Sequence, residues 1–282
     1  MDLESCPTKN ENRILDLNWL NLILMAGVGV VAGFYGAVLG LGGGILLVPV
    51  LTLFFKIPIH TAIGTSLLCV IATSSAAATT YVQNKLTDVR LGMTLELATT
   101  LGAICGGVIA GLINWNILSI LFSFLLLYSA LSMLSKKEKK EENLTGQNSV
   151  SSYQVQNLPA GLGLSFLAGN FSGLLGIGGG IIKVPAMYLF MKIPLKVATA
   201  TSNFMIGVTA CASAFIYYFR GDINLLISGI SILGVFLGAQ IGSRIIHKIK
   251  TNYIRIAFIL VLFYLCLEMF FKGMKIHFLF FG

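Results

Sequence analysis

Charge is what this sequence has least of. Asp, Glu, Lys and Arg make up 11% of its 282 residues, while 56% are hydrophobic and the mean hydropathy is +0.87. A soluble domain carries about 25% charged residues, so a chain this long with so few cannot cover a water-facing surface. That excludes an ordinary soluble enzyme or binding domain. The five cysteines form no disulfide framework. Cys69, Cys105, Cys211 and Cys266 lie inside apolar runs, and Cys6 alone reads as exposed. His60, His247 and His277 are far apart, without ligand spacing to cysteines or carboxylates, so neither a metal site nor a cofactor is expected. No Ser/His/Asp or Cys/His arrangement suggests catalysis, and the chain is read as a non-enzyme. The formal charge of +8 comes without a basic patch interleaved with aromatics. Nucleic acid is therefore excluded as a partner, and the loop lysines read as orientation signals.

Long apolar runs are present instead. Trp19–Leu39, Thr61–Val82, Leu91–Ile113, Ile117–Leu134, Val197–Phe219 and Ile254–Phe271 approach or exceed the roughly 20 residues that span hydrocarbon. They predict an all-α, multi-pass integral protein of the cell membrane, with 8–10 transmembrane segments. The first run is too long for a signal-peptide core and has no small-residue cleavage site, so it is a retained span. Trp19 suits the headgroup level at its start.

The runs are duplicated. At an offset of 136, residues 39–81 match residues 175–217 at 20 of 43 positions, aligning a glycine triplet, two prolines, a lysine and a Thr-Ser pair. Shared hydrophobicity does not align all of these in one register. The expected organisation is an N-terminal tail (1–17), repeat 1 (18–135), a charged flexible linker (136–157), repeat 2 (158–272) and a C-terminal tail (273–282). Each repeat has a long span, a Gly-rich break, a short apolar segment ending in K-I-P, and three longer spans. The segment Gly44–Lys56 has 13 residues, about 20 Å as a helix, and cannot cross upright alone. It is half of a broken helix or one arm of a re-entrant loop. If it crosses, the repeats are inverted and 12 of the 19 Lys+Arg lie inside with the linker; if it re-enters, they are parallel and 11 do. The positive-inside rule favours inversion by one residue.

The breaks carry the chemistry. Leu39-Gly40-Leu41-Gly42-Gly43-Gly44 and Leu175-Gly176-Ile177-Gly178-Gly179-Gly180 interrupt apolar runs. Each glycine weakens a helix by about 1 kcal/mol. Unwound backbone at membrane depth is tolerated where it is buried in protein or lines a wet cavity. A helix restarting there offers free N–H groups and the positive end of its dipole, the elements of an anion site. Paired breaks in two repeats point to a transporter's binding site. The alternative is close helix packing, which explains scattered glycines such as Gly102, Gly106, Gly234, Gly238 and Gly242 better than matched triplets. A nucleotide loop is excluded, because no acidic residue follows about 20 positions on.

The doubled pattern G-x-G-G-G-x-x-x-V-P, then K-I-P, then A-x-x-T-S resembles the TauE/SafE sulfite exporter family of membrane permeases, over nearly the whole chain apart from tails and linker. The resemblance implies a secondary transporter, working without ATP, that exports or exchanges a small anion such as sulfite, thiosulfate or an organosulfonate. No Walker-type loop is present.

Thr65-Ser66 and Thr201-Ser202-Asn203 follow the breaks, where hydroxyls and an amide can donate to anion oxygens. They can equally bond their own or neighbouring helices. Lys183 stands where repeat 1 has Leu47, and is either a substrate contact at Gly178–Gly180 or a lysine snorkelling to the interface. Glu96 lies in a run otherwise free of charge, as a coupling carboxylate or an interfacial residue near Arg90. Arg244, Lys56 and Lys192 read as interface anchors. The expected substrate site therefore comprises Gly42, Gly43, Gly44, Thr65, Ser66, Gly178, Gly179, Gly180, Lys183, Thr201, Ser202 and Asn203, with movement of one repeat against the other alternating access. An anion channel and a membrane scaffold are the rival readings.

Overall fold

The structure, a computed structural model, describes residues 19–39, 42–135, 155–245 and 251–274. The N-terminal tail with Cys6, and nearly all of the linker and C-terminal tail, lie outside the described residues. Those described are helical between short connections. The first half contains α1 (Trp19–Leu39), α2 (Gly44–Leu53), α3 (Ile59–Gln83), α4 (Val89–Ala110) and α5 (Trp115–Ser135). The second contains α6 (Leu158–Leu175), α7 (Gly180–Leu189), α8 (Leu195–Phe219), α9 (Leu225–Ile245) and α10 (Thr251–Gly273). From α2 onward each helix starts 136 residues before its counterpart, the offset that aligns the sequence with itself. Six of the helices, α1, α3, α4, α6, α8 and α9, are long and apolar enough to cross a membrane. The chain is a polytopic membrane protein.

Equivalent residues end and start equivalent helices. Pro58 and Pro194, with φ −54° and −53°, lead into α3 and α8, since proline is preset for a helix entry. Asp88 and Asn224 stand before α4 and α9, where their side-chain oxygens accept the amides of Leu91 and Ile227 at 3.0 and 3.2 Å. Lys85 and Gly221, with φ 53° and 75°, turn the chain out of α3 and α8 in the left-handed conformation. The bonds Leu86 N–H to Tyr81 O and Asp222 N–H to Tyr217 O close the turns in the Schellman manner.

The halves are interlocked. α1 packs on α9 and α4 on α6, each pair joining the first helix of one half to the fourth of the other. In hydrocarbon, helices associate through close packing, and small residues permit it. A Cβ at Gly33 would lie 2.1 Å from the Val235 carbonyl oxygen, at Gly234 2.2 Å from that of Ala26, and at Gly238 2.0 Å from that of Val30. Gly102, Gly106, Gly169 and Gly173 press α4 on α6 equally closely. The scattered glycines are packing residues.

Through the centre run α3 and α8, antiparallel. Gly64, early in α3, lies against Asp222 just beyond α8; Asp88, just beyond α3, donates its amide to Thr201 Oγ1 early in α8 at 3.0 Å. Between these ends Ser74 Oγ donates to the Asn203 carbonyl at 2.5 Å. α5 and α10 also run antiparallel, with Gly273 against Asn116 and the Cys266 thiol donating to Ser123 O at 3.2 Å.

Candidate functional site

The short helices α2 and α7 begin where the glycines turn left-handed. Gly42 and Gly43 have φ 80° and 72°, and Gly178 and Gly179 have 79° and 75°. An L side chain pays about 1–2 kcal/mol in this region, so each break needs glycine twice in succession. The helices that restart have 10 residues each, about 15 Å, half a bilayer core. Leu46 and Leu47 donate their amides to Gly43 O, and Ile182 and Lys183 to Gly179 O; the first two amides of each helix have no carbonyl partner among the described residues, and the dipole makes this end positive.

The two breaks meet in the middle of the bundle. Gly42 and Gly178 both lie against the equivalent residues Val70 of α3 and Ile206 of α8. A Cβ on Gly44 would lie 2.5 Å from the Gly176 carbonyl oxygen, which accepts the Ser66 hydroxyl at 2.7 Å. Gly42–Gly44 and Gly178–Gly180 are all buried.

The Thr-Ser pairs lie beside them, fully buried, and most are engaged between helices. Thr65 Oγ1 accepts from Ser228 Oγ of α9 at 3.2 Å, Ser66 donates to the Gly176 carbonyl at the second break, and Thr201 accepts the Asp88 amide. Asn203 Nδ2 donates to Thr199 O at 3.2 Å. Ser202 Oγ, Asn203 Oδ1 and Ser172 Oγ have no partner among the described residues. Ser172, which packs against Gly179, is a member that sequence inspection missed. In this conformation the hydroxyls of Thr65, Ser66 and Thr201 tie the halves together.

Of the two readings of Glu96, the interfacial one is excluded. It is not an interfacial partner of Arg90 but a buried residue, 7% exposed, facing Lys183, which is 1% exposed and does not snorkel. Lys183 Nζ lies 3.4 Å from Glu96 Oε2 and donates to Thr209 Oγ1 at 2.7 Å. Thr209 Oγ1 in turn donates to Glu96 Oε1 at 2.6 Å, joined by Thr100 at 3.2 Å, while Thr99 donates to Oε2 at 2.8 Å. The charges thus come from α7 and α4, of opposite halves, with α8 bridging. Thr99, Thr100 and Thr209 were not anticipated. The legible signal was local: Thr99 and Thr100 follow Glu96 at the i+3 and i+4 positions that share its helix face. Thr209 is adjacent through tertiary packing alone.

The symmetry of the halves breaks here. The residues standing where Lys183, Glu96, Thr99 and Thr100 would stand in the other copy are Leu47, Ile232, Val235 and Phe236. Only Thr73 corresponds to Thr209, and it donates to the carbonyl of Cys69 in its own helix at 2.9 Å.

Lys56, Lys192 and Arg244 are exposed. His60 lies 3.3 Å from the Ala110 carbonyl at the end of α4; His247 and His277 are outside the described residues. No group of three metal-ligating side chains occurs among the described residues. A groove between α1 and α9, lined by Val30, Val31, Phe34, Tyr35, Gly238 and Ile241, is apolar.

A family model described as "Sulfite exporter TauE/SafE" matches residues 25–269. The chain is 28% identical to "Probable membrane transporter protein YunE" of Bacillus subtilis (strain 168) over 90% of its own length and 99% of that protein. To "Probable membrane transporter protein YdhB" of the same organism it is 26% identical, covering 80% and 89%. "Sulfite exporter TauE/SafE family protein 6" of Arabidopsis thaliana is 28% identical over 52% of this chain and 34% of that protein. No solved structure matches.

Proposed function

Since this chain belongs to the sulfite exporter TauE/SafE family of membrane transporters, we propose that it is a secondary carrier of a small sulfur-containing anion, such as sulfite, thiosulfate or an organosulfonate. The anion binds at the centre of the bundle, between the glycine breaks, and leaves the cell down its own gradient. One observation carries this reading: Lys183, buried with its ammonium, stands in the first turn of α7, three residues beyond the second glycine triplet. A helical side chain leans toward its N-terminus, where the dipole already favours negative charge. A cation and free amides converging there form an anion site. Ser202 and Ser172 add hydroxyls that are unengaged among the described residues.

The carrier works by alternating access between inverted repeats. Supporting this is the antiparallel crossing of α3 with its own counterpart α8, and of α5 with α10. A two-fold axis that carries a helix onto an antiparallel mate lies across it, in the plane of the membrane. The moving bodies are not the two sequence halves. α1 is held to α9, and α4 to α6, at backbone contact, so the unit of α1 and α9 moves against that of α4 and α6, with the breaks at the seam. The site is closed in this conformation, since Thr65, Ser66, Thr201, Ser202 and Asn203 are all at 0% exposure.

Purified protein in liposomes tests the reading, with uptake of labelled sulfite, thiosulfate and methanesulfonate measured against empty liposomes. The expected result is saturable uptake of at least one, accelerated by the same anion on the opposite side. Linear flux without that acceleration would mean a channel. Absence of flux under pH and sodium gradients for all three would sink the proposal.

A further inference from the structure

The fold does not need a charge pair between α7 and α4. Its other copy fills the same place with Leu47, fully buried, and Ile232, packed against the apolar core. Two opposite charges have nonetheless been put inside the membrane on one side only, where each is costly. Glu96 is held by Lys183 and by the hydroxyls of Thr99, Thr100 and Thr209. Lys183 has three donor hydrogens and two acceptors among the described residues, Glu96 and Thr209. One donor is left over beside the break.

Resting on the anion-carrier reading above, we propose that this pair makes the protein a proton–anion symporter: substrate takes the place of Glu96 at Lys183 once Glu96 is protonated, and one proton crosses with each anion. Three charge states decide this. The empty site, with ammonium facing carboxylate, is neutral. With anion bound and Glu96 ionised, two negative charges share one cation, and the net charge buried in low dielectric costs several kcal/mol. With anion bound and Glu96 protonated, the site is neutral again for a monoanion. The two neutral states can pass through the closed conformation and the charged one cannot, which is the coupling. The hydroxyls suit both forms of Glu96, because each can donate to a carboxylate or accept from a carboxylic acid. Thr209, bonded to both partners, links them in either state.

No other charged group faces Glu96 among the described residues. α6 carries no ionisable side chain. On α4 itself Arg90 and Cys105 are exposed; on α7 Tyr188 is exposed; on α8 Cys211 and Tyr218 are exposed, and Tyr217 donates to the carbonyls of Gly173 and Leu174. Lys196 is the second residue of α8, more than three helical turns from Thr209. Such a carrier is reversible: it exports when the outward anion gradient exceeds the inward proton gradient, and otherwise accumulates.

The test uses methanesulfonate, the monoanion of a strong acid, so that any proton entering the lumen is carried by the protein. A pH dye inside the liposomes reports it. Wild type should acidify the lumen during uptake, and one unit of pH gradient should accumulate methanesulfonate about tenfold. Glu96→Gln leaves a permanent cation that cannot return empty. It should lose accumulation, to a ratio near one, while anion exchange stays above the empty-liposome background. Lys183→Gln should lose both. Accumulation retained in Glu96→Gln, or wild-type uptake without luminal acidification, would overturn the coupling and leave the carrier intact. Absence of all wild-type flux would instead overturn the carrier reading. The wild-type dye measurement decides the matter if Glu96→Gln does not fold.

Discussion

Replacing Lys183 by leucine, the residue of the other copy, isolates what the charge pair costs. The substitution leaves Glu96 buried and facing no cation, with only the three threonine hydroxyls around it. Breaking a buried ion pair from one side costs about 3–5 kcal/mol. At about 2 °C per kcal/mol for a chain of this size, the apparent Tm in detergent should fall by roughly 6–10 °C. The double variant Lys183→Leu/Glu96→Ile copies the apolar arrangement of Leu47 and Ile232. Its two buried threonines keep acceptors, since Thr209 can turn to Met205 O at 3.2 Å and Thr99 to the backbone carbonyl of residue 96 at 3.0 Å, and Thr100 is only half-buried. Replacing a buried pair by apolar residues is neutral or stabilising by about 1–4 kcal/mol, so the double variant should melt at or above wild type while transporting nothing. Thermal unfolding followed by fluorescence-detected size exclusion reads all three proteins. A single variant as stable as wild type, or a double variant no better than the single, would refute the argument that these charges are buried against each other for a purpose other than stability.

Three further outcomes follow from the packing. Gly238→Ala puts a methyl 2.0 Å from the Val30 carbonyl oxygen and should prevent α1 and α9 from docking. Gly27→Ala and Gly229→Ala, with nothing within 4 Å, should be neutral or gain up to about 1 kcal/mol; expression and monodispersity in detergent distinguish the two classes. Lys85→Gly, at an exposed left-handed position, should raise the melting temperature by the equivalent of about 1 kcal/mol, and Gly221→Ala should lower it by a similar amount; equal effects of one sign would count against the left-handed assignment. Tyr81→Phe and Tyr217→Phe remove equivalent bonds, to the carbonyls of Ala37 and Gly173 at 3.2 and 3.1 Å. Each should cost about 1 kcal/mol, read as the same Tm loss in both, and a loss in one alone would argue against equivalent roles.

Much of the local structure was legible because its causes are local. An apolar run the length of a bilayer is helical wherever it sits, since no other arrangement satisfies its backbone in lipid. The glycine triplets marked where helices stop, because two consecutive left-handed residues need glycine. K-I-P marked where the short helices end and the next begin. The Thr-Ser pairs illustrate the opposite case. Their burial beside the breaks follows from register, but whether Thr65 bonds a ligand or Ser228 depends on which helix lies opposite, and Ser228 is 163 residues away.

By itself, then, the sequence determined the membrane class, the doubled plan, the two breaks and the presence of one lysine and one glutamate alone in apolar surroundings. Each is a property of composition or spacing within a few turns of helix. Tertiary structure alone decided that α1 docks on α9 rather than on its own half, that α3 and α8 cross antiparallel, and that Lys183 meets Glu96 across 87 residues of chain. Glu96 reads as an interfacial residue in one dimension because Arg90 is close along the chain. Packing α4 between α6 and α8 turned it inward, where the cost of an unpaired buried carboxylate made the distant lysine its partner.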